Sequence, residues 1–344
     1  MHMERTLDLI LAGRAGIDLN TTALNCSFAG IPSFTKSVGG SPANIAQGTA
    51  RLGLKTGFVG KVAKDGMGEY ILQKFSELGI DTTGIRVDQT GARNCIALTE
   101  ILSAESSGAY RSSSDAFHHG TYLYREGTAD LLITPDEIDE NYIADARAVL
   151  ISGTALSVRP SRDAMFQLME YAKKHGTAVI LDIDYRPFGW ESREETARCY
   201  TRAMKQTDVV IGNREEFDAV EYLSMPDNHD NGRSADVLLE QGVKLVIVKD
   251  GPRGSWGYVK NRPVEQCGVI PTESVKTFGS GDAYAAGLLY GLLNDRGLKY
   301  AMQLGTACAS VALTSISCAD GIPDFDEAEK VRKKYFERAE DAVE

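Results

Sequence analysis

The sequence predicts a doubly wound α/β fold, in which helices cover both faces of a mainly parallel sheet. Continuous apolar runs such as VLIS and AVILDID are typical of strands that are buried on both faces. Helical patterns alternate with these runs through most of the chain, as in parallel α/β proteins. The 344 residues are 43% hydrophobic and 25% charged. This composition is that of a globular protein and excludes a disordered chain.

Each predicted strand is a short apolar run that ends at turn-forming residues. The strands are expected at 7–12, 56–62, 148–152, 178–182, 208–211, 245–249 and 254–259. Helical patterns lie between most of these runs, although only four residues separate the last two. The spacing therefore favours crossover connections, which join parallel strands.

The predicted helices carry recognisable end residues. In GGSPANIAQGTARLGL, Ser41 is expected to cap a helix, Pro42 to take its first position and Gly53 to end it. Further helices are expected at 66–78, 161–175 and 235–241, each followed by a glycine. The charged segment 324–344 is expected to be an amphipathic helix with a solvated face.

Two polar, turn-rich segments, 17–38 and 93–132, interrupt this alternation. Within the second segment, CIALTEI and TYLYRE have the composition of strands. We expect the two segments to leave the main sheet and form a small flap over a site. The serine-rich stretch 104–120 is expected to be a mobile loop of that flap.

Charge and composition exclude several classes of partner. The chain has 37 basic and 48 acidic residues, a net charge of −11, so nucleic acid and anionic membranes are disfavoured as partners. No apolar stretch approaches the ~18 residues of a membrane span, and the start lacks a signal-peptide pattern. The six cysteines are scattered without a CxxC pair, which predicts free thiols in a reducing cytoplasm.

The segment KTFGSGDAYAAGL carries the strongest chemical signal. Its glycines let the backbone approach a ligand, and the free amides at a helix start favour an anion. An aspartate beside such an anion site suits a base that takes a proton from a hydroxyl attacking a phosphoryl group. From the pattern alone, a plain helix cap explains the same residues. The residues concerned are Gly279, Ser280, Gly281 and Asp282.

TFGSGDAYAAGL resembles the C-terminal signature of the ribokinase-like (PfkB) carbohydrate kinases. VGGSPANIAQGTARLG, followed by GKVAKDGMGEYILQKFSELGI, resembles their N-terminal signature. Both occur in the family's order, and the resemblance extends over about 7–323. It implies a ribokinase-like three-layer sandwich, a single domain over 1–344 with a β-lid at about 17–38 and 93–132. It also implies an enzyme that uses ATP and Mg²⁺ to phosphorylate a primary hydroxyl of a sugar or sugar acid.

The fragments SFTKSVGGSPANIAQGTARLGLKTGFVGKV, LISGTAL, DIDYRPFGW and GNREEFD resemble the inositol-catabolism branch of that family. This implies 5-dehydro-2-deoxygluconate as acceptor. Fructokinase and 2-keto-3-deoxygluconate kinase remain alternatives, and so does a non-catalytic sugar or nucleotide sensor on the same scaffold. A nicotinamide-dependent Rossmann enzyme is disfavoured, because AGRAGID lacks the three-glycine spacing. The Walker motif GxxxxGK[ST] is absent as well.

The resemblance assigns roles around the reacting groups. Asp282 would be the base, and the amides of Gly279, Ser280 and Gly281 would hold charge on the γ-phosphoryl group. Asn213 and Glu216 match an Asn-x-x-Glu motif that helps to hold magnesium and phosphate, often through water. An ordinary cap and first-turn glutamate are the alternative explanation of that pair.

On the sugar side, four positions match family residues that meet sugar hydroxyls: Asp18, Gly39, Gly40 and Asn44. Arg125 and Arg186 would meet a substrate carboxylate, and Arg14 is a weaker third candidate. The alternative for Arg186 is a salt bridge with Asp184.

On the nucleotide side, the strand end in VKDGPRGSWGY borders the ATP phosphates in the family, which implicates Lys249, Gly251 and Gly254. The segment GTACASVALTSISCADGIP resembles the helix and loop beside adenine. Lys276 stands where many members have an aspartate that helps to bind a monovalent cation, so we expect weak potassium dependence. Sheet edges in the lid are expected to allow a homodimer.

Overall fold

The computed structural model describes residues 5–24, 26, 28–101, 121–273, 279–315 and 317–337. The strands of this part are β1 Leu7–Ala12, β2 Gly16–Leu24, β3 Phe34–Gly39, β4 Thr56–Val62, β5 Ile85–Val87, β6 Ile96–Ile101, β7 Thr121–Tyr124, β8 Ala146–Ser152, β9 Ala178–Asp182, β10 Val209–Asn213, β11 Leu245–Lys249, β12 Ser255–Tyr258 and β13 Glu265–Cys267. Its α-helices are α1 Ser41–Arg51, α2 Gly66–Glu77, α3 Glu140–Ala144, α4 Ser161–His175, α5 Arg193–Met204, α6 Arg214–Glu221, α7 Asn231–Glu240, α8 Ser280–Leu293, α9 Leu298–Ala312 and α10 Phe325–Arg332.

The main sheet has nine strands in the order β13-β12-β11-β10-β9-β8-β1-β4-β5. Every neighbouring pair from β11 to β5 is parallel, whereas β12 and β13 add an antiparallel edge. The central strands are buried on both faces, as their continuous apolar runs predict; Leu9 to Ala12 have no exposed surface. The predicted mainly parallel α/β sheet is therefore confirmed.

Helices cover both faces of this sheet and complete a three-layer sandwich. On one face, Ile10, Val149 and Leu181 pack with apolar side chains of α3 to α7. On the other face, Leu11 and Leu150 pack with apolar side chains of α1, α2, α8 and α9. Alternate residues of β1 thus enter opposite cores, because successive side chains of a strand point to opposite sides.

The two segments that interrupt the alternation form a second sheet, which we call the lid sheet. Its strand order is β3-β2-β6-β7, so CIALTEI and TYLYRE both contribute strands. Asp18 pairs with Ser37 and Asn20 with Thr35, which places these polar residues on one face. The opposite face carries Leu19 and its neighbours in register, Leu98 and Tyr122.

One predicted helix cap is wrong. Gly40, not Ser41, is the N-cap of α1, and Ser41 is the first helical residue. Gly40 has a φ of 106°, and a Cβ there would lie 2.5 Å from the carbonyl oxygen of Arg14. This close approach at positive φ requires glycine at the turn into α1. Because it does not cap α1, the hydroxyl of Ser41 can donate a hydrogen bond to a residue of another helix.

Other element boundaries differ by a few residues. The predicted helix at 235–241 begins earlier, at Asn231, after the cap Asp230, and the predicted strand at 148–152 begins at Ala146. Gly176 ends α4 in the left-handed conformation, as expected. After α10 the chain continues as a π-helical turn, Lys333–Glu337. The serine-rich stretch 104–120 and the end of the predicted tail helix, 338–344, lie outside the described residues.

Among the described residues, no helix combines the length and the apolar character that a membrane crossing requires. All six cysteines lie in that part of the chain, and none of them forms a disulfide.

Candidate active site

The candidate site lies where the carboxyl ends of the central strands meet the starts of α1 and α8. Strand β9 ends at Asp182, β10 at Asn213 and β11 at Lys249. The carboxyl ends of parallel strands share one edge of a sheet, and that edge is where ligands bind in open α/β folds. The topology therefore brings together side chains from distant parts of the sequence.

Asp282, in the first turn of α8, lies at the centre of this site. The Ser41 hydroxyl donates to its Oδ1 and the Asn44 amide to its Oδ2, each at 2.8 Å. Burial and repulsion from Asp184 raise the pKa of Asp282 to about 6, although the two hydrogen bonds oppose the rise. A carboxyl group with such a pKa can remove a proton efficiently near neutral pH.

The backbone before Asp282 has the form expected of an anion-binding turn. Gly279 is the N-cap of α8 with a φ of 83°, and no side chain caps this helix start. A Cβ on Gly279 would lie 2.9 Å from Cys318 Sγ, so the turn requires glycine. A Cβ on Gly281 would lie 3.7 Å from Lys249 Nζ. A cation thus adjoins the start of α8, and both favour a bound anion.

Carboxyl groups outnumber cations around this turn. Lys249 Nζ lies 3.4 Å from Asp182 Oδ1. Burial works against the charge on Lys249, but Asp182 and Glu216 outweigh it and raise its pKa. Burial raises the pKa of Glu216 to about 7, and repulsion from Asp182 adds to the rise. The cluster comprises four carboxyl groups, Asp182, Asp184, Glu216 and Asp282, and two cationic side chains, Lys249 and Arg186.

Asn213 and Glu216 form a reciprocal helix cap at the start of α6. Asn213 Oδ1 accepts from the Glu216 amide at 3.0 Å, and Glu216 Oε2 accepts from the Asn213 amide at 2.8 Å. The capping interpretation is thus correct for this pair. The cap occupies Glu216 Oε2, while Oε1 lies 3.9 Å from Arg186 Nη1; carboxylate oxygens of this kind suit magnesium.

Gly39, on the predicted sugar side, allows close contact with Asp18. A Cβ on Gly39 would overlap the Asp18 carboxylate, so the carboxylate lies directly against the backbone of β3. Asn44 Oδ1 and Asn20 Oδ1 are buried and accept no hydrogen bond from the described residues. Buried polar atoms without partners are rare in proteins and indicate a place for a ligand or water.

The three candidate arginines have different surroundings. Arg125 donates from Nε to Asp130 Oδ2 at 2.8 Å and from Nη1 to the Thr154 carbonyl at 3.1 Å. Its Nη2 is buried and donates to none of the described residues. Arg14 Nη1 donates to Cys95 Sγ at 3.3 Å. Of these two, Arg125 therefore keeps a buried donor for a ligand.

Arg186 is held differently. Its Nη2 lies 2.8 Å from Asp184 Oδ1, its Nη1 lies 3.9 Å from Glu216 Oε1, and its side chain is 49% exposed. The salt bridge that the sequence offered as an alternative is present. Asp184 is itself held in place, since it accepts from the Ser152 hydroxyl at 2.8 Å.

A cavity of about 130 Å³ extends from Lys249 along the start of α8. Its lining includes the predicted phosphate-side residues Lys249, Gly251, Gly254, Ser280 and Gly281. Val269, Ile270 and Leu313 line it as well, and Thr306, Ala309 and Ser310 of α9 border it. The lining thus brings apolar side chains next to the predicted phosphate-side residues.

Several residues of the site escape sequence reasoning. Ser41 has the spacing of a helix cap, and Asn20 is one polar residue in an alternating strand. Asp182 ends a buried strand and Asp184 lies two residues beyond it, and this position was the available signal. The departure at Lys276 lies outside the described residues.

A buried carboxyl group with a raised pKa beside an anion-binding helix start is an arrangement suited to phosphoryl transfer. The chain belongs to the pfkB family of carbohydrate kinases, whose model, "pfkB family carbohydrate kinase", matches residues 8–324.

Its curated relatives cover nearly the whole chain. It is 43% identical over 327 residues to a 5-dehydro-2-deoxygluconokinase of Geobacillus thermodenitrificans, with 95% of this chain and 93% of that protein covered. It is 41% identical over 340 residues to 5-dehydro-2-deoxygluconokinase 1 of Bacillus cereus, with 99% and 98% covered.

Solved structures share the fold. A putative ribokinase II of E. coli, in complex with ATP and Mg²⁺, matches with a TM-score of 0.82 at 21% identity, over 96% of this chain and 100% of that one. A fructokinase of Xylella fastidiosa with bound ATP matches with a TM-score of 0.81 at 21% identity, over 95% and 98%. The predicted ribokinase-like fold and family are therefore confirmed.

Proposed function

We propose that this carbohydrate kinase transfers the γ-phosphoryl group of ATP to the primary hydroxyl of 5-dehydro-2-deoxygluconate. The position of Asp282 carries the proposal. Its carboxylate lies between donors of α1 on the predicted sugar side and the anion-binding turn of α8 on the nucleotide side. The relatives at 41–43% identity bear the name of that activity.

In the proposed reaction, Asp282 accepts the proton of the acceptor's primary hydroxyl while the oxygen of that hydroxyl attacks the γ-phosphorus. The bond from this phosphorus to the β,γ-bridging oxygen breaks, and ADP leaves with that oxygen. Gly279, Ser280 and Gly281 direct backbone amides at the charge on the transferred group, and Lys249 adds a positive charge beside them.

Magnesium would have few direct protein ligands, because the described residues contain no group of three or more acidic, histidine or cysteine side chains that could hold one ion. Glu216 would hold the ion, with Asn213, through water. When bound, magnesium neutralises charge on the ATP phosphates. Lys249 and the amides of α8 remain the chain's own contribution to phosphate binding.

The acid group of the substrate accounts for a buried arginine. Arg125 is paired through Nε and Nη1, yet its Nη2 is buried without a partner in the described part of the chain. A carboxylate is the acceptor that matches a guanidinium group best. We assign Arg125 to the substrate carboxylate, with Arg186 at the edge of the same site. Asp18, Asn44, Gly39 and Gly40 would border the sugar hydroxyls.

The segments 17–38 and 93–132 act as a lid of the single kinase domain in this proposal. Closure of a lid excludes water, which otherwise competes with the sugar as acceptor.

The lid sheet would also join two copies of the chain. Phe28, Tyr122 and Tyr124 are exposed large side chains, and the rings of Phe28 and Tyr122 lie 5.7 Å apart. A second copy would cover this patch with the same patch, as two-fold symmetry allows. Light scattering of the wild type and of Tyr124→Lys tests it, and a monomeric wild type would refute the dimer.

Six cysteines without a disulfide fit a reducing cytoplasm.

The function is tested by measuring ADP release with Mg²⁺-ATP and a panel of acceptors. The panel contains 5-dehydro-2-deoxygluconate, 2-keto-3-deoxygluconate, fructose, ribose and adenosine, with Asp282→Asn as the inactive control. We expect turnover on the first acid well above the rest. Preference for fructose would refute the sugar-acid assignment but keep the kinase. Nucleotide binding without turnover on any acceptor would favour the sensor.

A further inference from the structure

Helices α1 and α8 begin side by side, and the first turn of α1 binds both oxygens of Asp282. Ser41, the first residue of α1, donates its hydroxyl to Oδ1 at 2.8 Å. Asn44, nearly one turn later, donates its amide to Oδ2 at the same distance. Residues three apart on a helix lie on one face. The start of α1 is therefore a two-point support for one carboxylate.

The Ser41 hydroxyl has no role in its own helix. Gly40 is the N-cap of α1, and no side chain caps that helix start. Ser41 is 8% exposed, so its hydroxyl lies in the site rather than in solvent. Its next acceptor is Asp182 Oδ2 at 3.4 Å. One hydroxyl proton serves one strong hydrogen bond, and the shorter distance gives that bond to Asp282.

We propose that Ser41 is a positioning residue, whose hydrogen bond to Oδ1 fixes the carboxylate of Asp282 so that Oδ2 meets the acceptor hydroxyl. This inference rests on the proposed function, in which Asp282 is the base. A carboxylate oxygen accepts more than one hydrogen bond. Oδ2 can therefore keep Asn44, a residue of the predicted sugar side, while it receives the acceptor proton. Without Ser41, the carboxylate could turn about its χ2 axis, which is a soft torsion.

The charged neighbours of Asp282 give this contact a measurable signature. Asp182 at the end of β9 and Asp184 just after it disfavour the ionised form of Asp282. Lys249 on β11 and Arg186 after β9 are the cations that interact with it. The Ser41 hydroxyl favours the ionised form, because a hydrogen bond to a charged acceptor stabilises the charge. Its removal should raise the pKa of Asp282 by about one unit.

The test is the pH profile of kcat/KM for Ser41→Ala, measured from pH 5 to 9 with 5-dehydro-2-deoxygluconate and saturating Mg²⁺-ATP. We expect the acid limb to move upward by about one pH unit, and therefore a loss of about eightfold at pH 5.5. The loss should shrink toward pH 8.5, where Asp282 is ionised in both proteins. Ser41→Thr, which keeps the hydroxyl, should restore the acid limb.

Thr49→Ala is the matched control within α1. Thr49 is buried two turns beyond Ser41, and its hydroxyl binds carbonyls of its own helix and Thr56 of β4. Its hydroxyl bonds to none of the site residues named above. Loosening of α1 by this variant should leave the acid limb unchanged, and a thermal melt of each variant checks folding.

Two results would overturn the proposal. One is a Ser41→Ala profile that coincides with that of the wild type, and the other is a loss of equal size at every pH. If Asp282→Asn is inactive in the same assay, either result removes only the role of Ser41. Failure of the wild type to phosphorylate any acceptor would instead remove the proposed function itself.

Discussion

Replacing Asp282 by asparagine should remove most turnover and at the same time stabilise the protein. The pKa of Asp282 rises from 3.8 to about 6 on folding, about two units, which corresponds to about 3 kcal/mol. For a carboxyl group whose pKa rises on folding, the folded state is destabilised when the group is ionised. The penalty is absent well below the unfolded pKa and complete above pH 6. By this linkage it falls from about 3 kcal/mol at pH 8 to about 1 kcal/mol at pH 4.5.

Asp282→Asn removes the charge and disturbs two hydrogen bonds. The new side chain cannot accept from both Ser41 and Asn44, at a cost of about 1 kcal/mol. The expected net gain in unfolding free energy is therefore about 2 kcal/mol at pH 8 and close to zero at pH 4.5. Loss of a general base should lower kcat by about 10²- to 10⁴-fold.

Urea unfolding of both proteins at the two pH values measures the first effect, and ADP release measures the second. A stability gain that is equal at both pH values would refute the electrostatic reasoning. A kcat within threefold of the wild type would remove Asp282 from the role of base.

Three further predictions concern the acid group and the cations. Arg125→Lys keeps a charge beside Asp130 but loses the planar guanidinium group. The KM for the sugar acid should therefore rise about tenfold, whereas the kinetics with fructose should not change. Equal losses with both substrates would contradict the assignment of Arg125. Because burial raises the pKa of Glu216 to about 7, protons should compete with magnesium below that pH. The half-saturating Mg²⁺ concentration should therefore rise as the pH falls from 8 to 6. A constant concentration would exclude Glu216 as a magnesium ligand. Lys276 predicts activity that is nearly independent of potassium, and several-fold activation over a sodium control would contradict this.

The architecture follows from the sequence because its signals are local. Runs such as VLIS and AVILD are apolar on both faces, and a strand between two helix layers satisfies that pattern. Gly176 marks the end of α4 through its own backbone conformation. The lid strands also follow from composition, although the sequence could not assign their register, which depends on pairing across the sheet.

The contacts within the site depend on tertiary structure. Ser41 is not the cap of α1, because Gly40 takes that position in close contact with the Arg14 carbonyl. The Ser41 hydroxyl instead donates a hydrogen bond to Asp282 of α8. Arg125 and Arg186 look equivalent in the sequence, yet only Arg186 pairs with Asp184. Which partner a long polar side chain chooses depends on elements distant in the chain. The residue types in the site were therefore easier to foresee than their contacts.

The most direct test of the account is the identity of the reaction product. The purified protein, Mg²⁺-ATP and 5-dehydro-2-deoxygluconate are incubated together, and the product is examined by ¹H–³¹P correlation spectroscopy. The account predicts a single phosphate ester whose phosphorus couples to the two protons of a CH₂ group, the primary position that Asp282 would deprotonate. Phosphorus coupled to a secondary CH proton, or inorganic phosphate alone, would contradict it.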